Sequence, residues 1–402
     1  MRIVQINAVP GGSTGKLALA LHEKALDNNE ESIFIYASGQ TEKKGTIKIG
    51  SRLDQKIHAL FSRLTGLQGY WSSWQTKKII DFISHYAPDV VHLHNLHANS
   101  INIGLLLTFF AERNIAVCVT LHDCFFFTGH CCYYTDLECY RWQESCGNCP
   151  AMKKYNTSLF FDTSRKSLAD KRKWFEAIDK LAIVGVSQWI CNEAKKSILK
   201  RASYVDYVYN WIDFGVFYPR TSTQKSEQAS PFVILGVAES WSESKGIYDF
   251  IELSNRLDYD EKIMLVVACN IELPDRICLI DRTENQEKLA ELYSQADVFV
   301  SFSRQETFGL VTAEALSCGT PVVVYNNTAS PELVGEGCGY VCPDGDIDAV
   351  VKSIRQIKAG GKEQYSKRCV DYAHKVFDPD KNIAKYFRVY GKICGGIEND
   401  SI

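Results

Sequence analysis

Residues 301–325 read SFSRQETFGLVTAEALSCGTPVVVY. An apolar run ends at Phe302, polar Arg304 and Glu306 follow, and Thr307-Phe308-Gly309-Leu310 opens a helical stretch. Gly319-Thr320-Pro321 then stops it ahead of a second apolar run. Strand, turn, helix and strand in that order form the repeat unit of an open α/β sheet. In such sheets ligands bind beyond the carboxyl ends of the strands, and a helix beginning there offers unpaired N–H groups to anions. Gly309 would let a phosphate approach the backbone closely. Glu314, inside the helix, could accept hydrogen bonds from ribose hydroxyls, while Glu306 would face whatever lies beyond the phosphates. The pattern points to a nucleotide diphosphate carrying a polar group, although two acids at this spacing are also compatible with ordinary helix-surface residues.

Outward from this stretch the same grammar repeats. The runs RIVQINA, SIFIYAS, DVVHLHN, AVCVTLHD and LAIVGVS alternate with helical stretches at 16–28 and 103–113. The pattern restarts at residue 231 with FVILGVA, KIMLVVAC, RICLIDR, DVFVSFS and PVVVYN, with helices at 247–257 and 286–295. Continuous Val/Ile/Leu runs separated by helices indicate parallel strands buried on both faces. The fold class expected is α/β, two Rossmann-like doubly wound domains facing across a cleft. The expected limits are 1–212, 213–377, and a C-terminal helix and tail at 378–402 returning to the first domain. The polar stretch 221–230, TSTQKSEQAS, reads as a surface linker.

The 402 residues suffice for two cores, and 46% hydrophobic with 23% charged residues is an ordinary globular balance. A formal net charge of -3 gives no reason to expect nucleic acid. No apolar run approaches the roughly 20 residues that cross a bilayer, and MRIVQINAVPGG lacks a signal-peptide pattern. A cytoplasmic location is the expectation, so the 15 cysteines read as thiols or metal ligands before disulfides.

Glu306 and Glu314 in E-TFGLVTA-E, with Gly319-Thr320-Pro321-Val322-Val323 and Pro331-Glu332-Leu333-Val334, resemble the E-x7-E signature of glycosyltransferase family 4. The resemblance runs over nearly the whole chain, and it implies the two-domain GT-B arrangement and a retaining hexosyltransferase activity using a nucleotide-sugar donor. In bacterial polysaccharide-assembly members the acceptor is a glycan or a lipid-linked glycan, which would bring the protein to the inner face of the cell membrane. Residues 11–15, GGSTG, resemble the family's glycine-rich loop, placing Gly12 and Ser13 near the diphosphate. His122 in VTLHD resembles the histidine that contacts the donor sugar, and Lys245 the lysine that binds donor phosphates. The implied donor set is Gly12, Ser13, Lys245, Arg304, Thr307, Phe308, Gly309, Leu310 and Glu314, with His122 and Glu306 catalytic. GVAESWSESKG lacks the arginine that many members place shortly after that strand, and Arg304 is the substitute expected. No D-x-D motif stands at a suitable strand end, so no catalytic cation is expected.

Residues 122–150 hold Cys131, Cys139, Cys146 and Cys149 at spacings compatible with a structural zinc site, a disulfide pair or packed reduced thiols. Downstream, SRKSLADKRKWFEAI sets five cations beside Trp174 and Phe175, which suits either an anionic membrane surface or a solvated face. Competing functions are a nucleotide-sugar epimerase of the same two-domain type, a non-catalytic sugar-binding protein, and a dehydrogenase. The last is disfavoured because GGSTG does not meet G-x-G-x-x-G and SIFIYAS ends without an acid for an adenosine ribose.

Overall fold

The computed structural model describes residues 1–220, 231–266, 271–283 and 285–395. The linker expected at 221–230 and the end of the KIMLVVAC run lie outside the described residues, as does the tail beyond 395. The chain folds into two compact units, one of Met1–Val208 with the C-terminal stretch from Ile383, the other Tyr209–Asn382.

The first unit runs β1 (Arg2–Asn7), α1 (Gly12–Asp27), β2 (Glu31–Tyr36), β3 (Thr46–Lys48), α2 (Arg52–Thr65), α3 (Ser73–Tyr86), β4 (Val90–Leu93) and α4 (Ile103–Glu112). It continues with β5 (Ala116–Leu121), α5 (Ser164–Glu176), β6 (Leu181–Gly185), α6 (Gln188–Lys195) and β7 (Tyr204–Tyr207). The second unit runs β8 (Phe232–Val237), α7 (Ile247–Ser254), β9 (Glu261–Val266), β10 (Ile277–Ile280), α8 (Gln286–Gln295) and β11 (Val298–Ser301). After these come α9 (Leu310–Ser317), β12 (Val322–Tyr325), β13 (Gly339–Cys342), α10 (Ile347–Gly360), α11 (Glu363–Val376) and α12 (Pro379–Ile393).

The strands form a seven-stranded sheet, β3-β2-β1-β4-β5-β6-β7, and a six-stranded sheet, β10-β9-β8-β11-β12-β13. Their pairings are parallel, and β4, β5, β6, β11 and β12 are buried along their whole length. That burial explains why they read as continuous apolar runs and not as alternation. In each sheet the strand order reverses at the first strand: β1 has β2 on one side and β4 on the other, and β8 has β9 and β11. The crevices above these reversals are where an open sheet binds ligands.

Side-chain caps mark several helix starts. Ser51, Asn102, Ser187, Asn285 and Asp346 each accept from a backbone N–H in the first turn that follows. On α12, Ile383, Tyr386, Val389, Tyr390 and Ile393 are buried in the first unit. Tyr390 Oη lies 2.7 Å from His92 Nδ1, and Tyr386 Oη lies 3.2 Å from Thr120 Oγ1. The apolar stripe of the terminal helix thus has its partner in β4 and β5.

Candidate active site

In the second unit the chain leaves β8 into a short turn, Glu243–Lys245, and leaves β11 into Arg304 and Glu306. A Cβ on Gly246 would stand 2.1 Å from Phe302 Cβ, so only glycine lets the two loops come this close. The approach brings Lys245 Nζ to 2.6 Å from Glu306 Oε1, and Lys245 also donates to Ser303 Oγ at 3.3 Å. Glu306 is fixed from behind, its backbone N–H donating to Thr328 Oγ1 at 3.0 Å and its carbonyl accepting from Ala329 at 3.1 Å. Thr328 sits at φ 50, a conformation that β-branched residues rarely adopt. That strain accompanies a loop whose hydroxyl sets the position of Glu306.

Gly309, at φ 99, turns the chain into α9. Thr307 and Phe308 are buried, and Phe308 packs its ring against Tyr209 and Phe377, so the backbone is what this residue offers a ligand. Leu310 opens the helix. One turn on, Glu314 Oε2 accepts from the Tyr293 phenol at 3.0 Å. Tyr293 is wholly buried, and burial, then the neighbouring Glu314, push its pKa well up, so the phenol stays protonated as a donor. Nothing in the sequence pattern singled out Tyr293, Ser303 or Thr328.

Arg304 differs from its expected role. Its guanidinium forms a fork with Asp249 at 2.8 and 2.9 Å, reaches Asp344 at 3.1 Å and lies over the Tyr325 ring. These contacts tie α7, β12 and the turn after β13 together, and two carboxylates already balance its charge. Lys245 is the cation that the fold sets beside Glu306.

In the first unit the glycine-rich turn follows β1. Gly12 has φ 68 with open space where a side chain would project, Ser13 is exposed, and a Cβ on Gly15 would meet the Val9 carbonyl at 2.5 Å. Asn7 shapes this end of the sheet, its Oδ1 accepting from the Asn95 N–H at 3.0 Å and its Nδ2 donating to the Val9 carbonyl at 2.7 Å.

His122 follows β5 directly, beside a chain of imidazoles. His94 Nδ1 lies 3.1 Å from His122 Nε2, and the His92 ring lies tilted against His94 with ring centroids 4.0 Å apart. The Gln5 amide is assigned from its partners: its nitrogen faces the Ala18 carbonyl and His94 Nε2, and its oxygen accepts from the His22 N–H. His94 therefore accepts at Nε2 and carries its proton on Nδ1, which donates to His122 Nε2. That places the His122 proton on Nδ1. Burial lowers the His122 pKa to about 3, so the ring is a neutral hydrogen-bond donor at neutral pH. The H-x-H pattern of HLHN, on one face of a strand end, was the signal that could have exposed His94.

The expected cysteine centre needs thiolates about 3.8 Å apart around a zinc ion. Among the described residues, the sets of three or more His, Cys, Asp or Glu donors whose ligand atoms all lie within 4.8 Å of one another are His97, Asp123 and Cys132, and Asp258, Asp260 and Glu261. Cys131, Cys139, Cys146 and Cys149 make neither group. Burial raises the Cys131 thiol to about 12 and the Cys149 thiol to about 11, and the backbone N–H groups of Gly129 and Ala151 face the Cys146 and Cys149 sulfurs. All four are free thiols.

The basic helix α5 turns part of its surface inward. Lys171 is buried, donating to the Phe125 and Thr128 carbonyls at 2.6 and 2.9 Å, and burial lowers its pKa to about 8. Phe175 is buried, and Trp174 packs over Gly104, where a Cβ would come within 2.4 Å of the indole. Phe175 thus faces the interior, while Trp174 is half-buried.

Residues 221–376, which include Lys245, Glu306 and Glu314, match the family described as glycosyl transferases group 1. The second unit thus carries a group 1 glycosyl transferase domain. The putative colanic acid biosynthesis glycosyl transferase WcaC of Escherichia coli is 23% identical over 88% of this chain and 90% of its own length. N-acetyl-alpha-D-glucosaminyl L-malate synthase of Bacillus anthracis is 24% identical over 55% of this chain, and the match spans 62% of that enzyme. Among solved structures, the sucrose-phosphate synthase of Thermosynechococcus elongatus aligns over 98% of this glycosyltransferase and 99% of its own chain, with TM-score 0.70 at 15% identity. Anabaena Alr3699/HepE, solved in complex with UDP, aligns over 98% and 100% with TM-score 0.66 at 14% identity. The fold of this glycosyltransferase is GT-B, two parallel-sheet α/β units.

Proposed function

We propose that this glycosyltransferase moves a sugar, with retention of anomeric configuration, from a nucleotide-diphosphate sugar to a glycan or lipid-linked acceptor in bacterial surface polysaccharide assembly. The observation that carries the reading is the Lys245–Glu306 pair, 2.6 Å apart above the strand reversal of the second unit. Lys245 and the N–H groups around Gly309 hold the diphosphate leaving group by preorganised electrostatics. Glu314, oriented by Tyr293, accepts from the ribose hydroxyls, and Glu306 faces the sugar, where positive charge develops as the anomeric C–O bond breaks. On the first unit, Gly12 and Ser13 offer backbone and hydroxyl donors, and His122 is the neutral imidazole assigned to the donor sugar. The acceptor oxygen forms the new bond to the anomeric carbon as the bond to phosphate breaks, and its proton passes to the departing phosphate oxygen.

Relatives named for colanic acid and O-antigen synthesis support the pathway class, and structures described with UDP and UDP-glucose support the donor class. No described helix is long and apolar enough to cross a membrane, so a lipid-linked acceptor would be met at the membrane surface. A thermal-shift panel of UDP, GDP and ADP names the base, and radiolabelled sugar donors then report transfer. Stabilisation by one nucleotide, with diphosphate released in step with acceptor glycosylation, is the expected result. Interconversion of the nucleotide sugar without transfer would replace this reading with an epimerase.

A further inference from the structure

The helix α2 is inside out. Its inner face is polar: His58 and Ser62 are buried, with His58 Nδ1 2.8 Å from Ser72 Oγ and its Nε2 accepting from the Gly69 N–H at 3.3 Å. Asp54 accepts from the same Ser72 hydroxyl at 2.7 Å. The outer face carries Leu53, Ile57, Leu60 and Phe61, a continuous stripe at helical spacing whose members are 41–69% exposed. A helix of a soluble unit ordinarily turns such a stripe inward.

The apolar surface extends beyond the helix. Residues 159–161, LFF, are 49–66% exposed and are pinned to the end of α2, with the Leu159 N–H donating to the Arg63 carbonyl at 2.8 Å. The segment is held again where Thr163 Oγ1 donates to the Gly66 carbonyl at 2.6 Å. Trp74, 70% exposed, stands at the start of α3, next to the Ser72 that bonds both His58 and Asp54. Contiguous exposed apolar surface of this kind marks an interaction site.

Charge decides the occupant. Over α2 and α3 the cations are Arg52, Lys56, Arg63, Lys77 and Lys78, all exposed, against two acids, Asp81 and the Asp54 that is engaged with Ser72. Lys78 extends its ammonium toward the Trp74 ring, 5.8 Å from the centroid. Apolar and aromatic side chains bordered by cations match the interface of an anionic bilayer, in which the chains enter the acyl boundary and the cations meet phosphates.

We infer that α2, Trp74 and residues 159–161 form the face by which the protein lies on an anionic lipid surface. This deepens the proposed function, resting on it only for the reason that a glycosyltransferase would need a membrane.

The test sediments the full chain with vesicles of phosphatidylglycerol and phosphatidylcholine, and with phosphatidylcholine alone. The chain should pellet with the anionic vesicles, less so as salt rises. The double variant Leu60→Glu/Phe61→Glu should lose at least tenfold in partition, and Lys77→Glu/Lys78→Glu should lose several-fold. Both variants change exposed side chains, and an unchanged thermal shift with the nucleotide diphosphate chosen above shows that they remain folded. Equal vesicle binding by wild type and the double variant would overturn the inference. So would a wild-type dimer in light scattering that becomes monomeric in the double variant without any vesicle binding, because the face would then be an interface between copies. A chain that responds to nucleotide but ignores anionic vesicles sinks this inference alone; one that binds vesicles but no nucleotide sinks the proposed function instead.

Discussion

The Lys245–Glu306 pair makes an asymmetric prediction. In the described structure the ammonium has the Glu306 carboxylate at 2.6 Å and the Ser303 hydroxyl at 3.3 Å, and the two charged side chains are 33% and 17% exposed. At an effective dielectric constant of 20–40 the gross attraction is about 3–6 kcal/mol. Desolvation, side-chain ordering and salt cut the net value of so accessible a pair to about 0.5–1.4 kcal/mol. A diphosphate arriving at Lys245 competes with that net value. Glu306→Gln removes the competitor, so the nucleoside diphosphate should bind about 2- to 10-fold tighter. Turnover should fall in the same variant by roughly 10²- to 10³-fold, because the carboxylate is lost where positive charge develops. Lys245→Met should weaken the diphosphate by about 10- to 150-fold, the loss of a charge-assisted hydrogen bond of about 1.5–3 kcal/mol. In the double variant the gain from Glu306→Gln should vanish, since it acts through the ammonium. Calorimetric titration with the diphosphate and single-turnover transfer measure all of these. Weaker diphosphate binding by Glu306→Gln, with transfer at the wild-type rate, would refute the assignment and make the pair a structural clamp.

Other consequences follow from the same geometry. Tyr293→Phe removes the phenol that holds Glu314 at 3.0 Å and should weaken nucleotide binding about 3- to 10-fold while turnover at saturating donor stays near wild type; a lower turnover with unchanged affinity would contradict the ribose role. Gly309→Ala puts a Cβ at φ 99, 3.2 Å from Leu333 Cδ1, and should cost about 1–2 kcal/mol in urea denaturation, so no loss would mean that the turn relaxes freely. Stability should fall on acidification, because burial lowers His58 to about 4 and His122 to about 3 from an ordinary 6.5. Below 6.5 the unfolded chain takes up protons that the folded chain refuses, so the contribution is complete above that pH and is lost as pH falls, by up to about 1.4 kcal/mol per pH unit for each histidine. Denaturation midpoints at pH 7.5, 5.5 and 4.5 measure this, and His58→Gln should flatten the profile; a flat wild-type profile would show that the buried imidazoles are hydrated.

The α/β class, the doubled sheet and the position of the E-x7-E helix were legible in the sequence because each rests on a local cause. A strand buried on both faces must be continuously apolar, Gly309 must take a left-handed turn, and an amphipathic terminal helix must find a partner for its stripe. What residues far apart do to one another was decided only by the tertiary structure. Lys245 meets Glu306 across 61 positions because Gly246 lets two loops pass within a side chain's width, and no local pattern encodes that distance. The proton on His122 is set by Gln5 through His94, three strands brought side by side. Arg304 looked available for phosphate until Asp249 and Asp344 closed on it. The helices α5 and α2 show the same limit from opposite sides: both carry cations beside apolar residues, and periodicity fixes which residues share a face. Which face turns inward depends on what the rest of the fold presents. Gly104 offers Trp174 of α5 a slot, whereas Ser72 and the Gly69 N–H offer α2 hydrogen bonds that only its polar side can make.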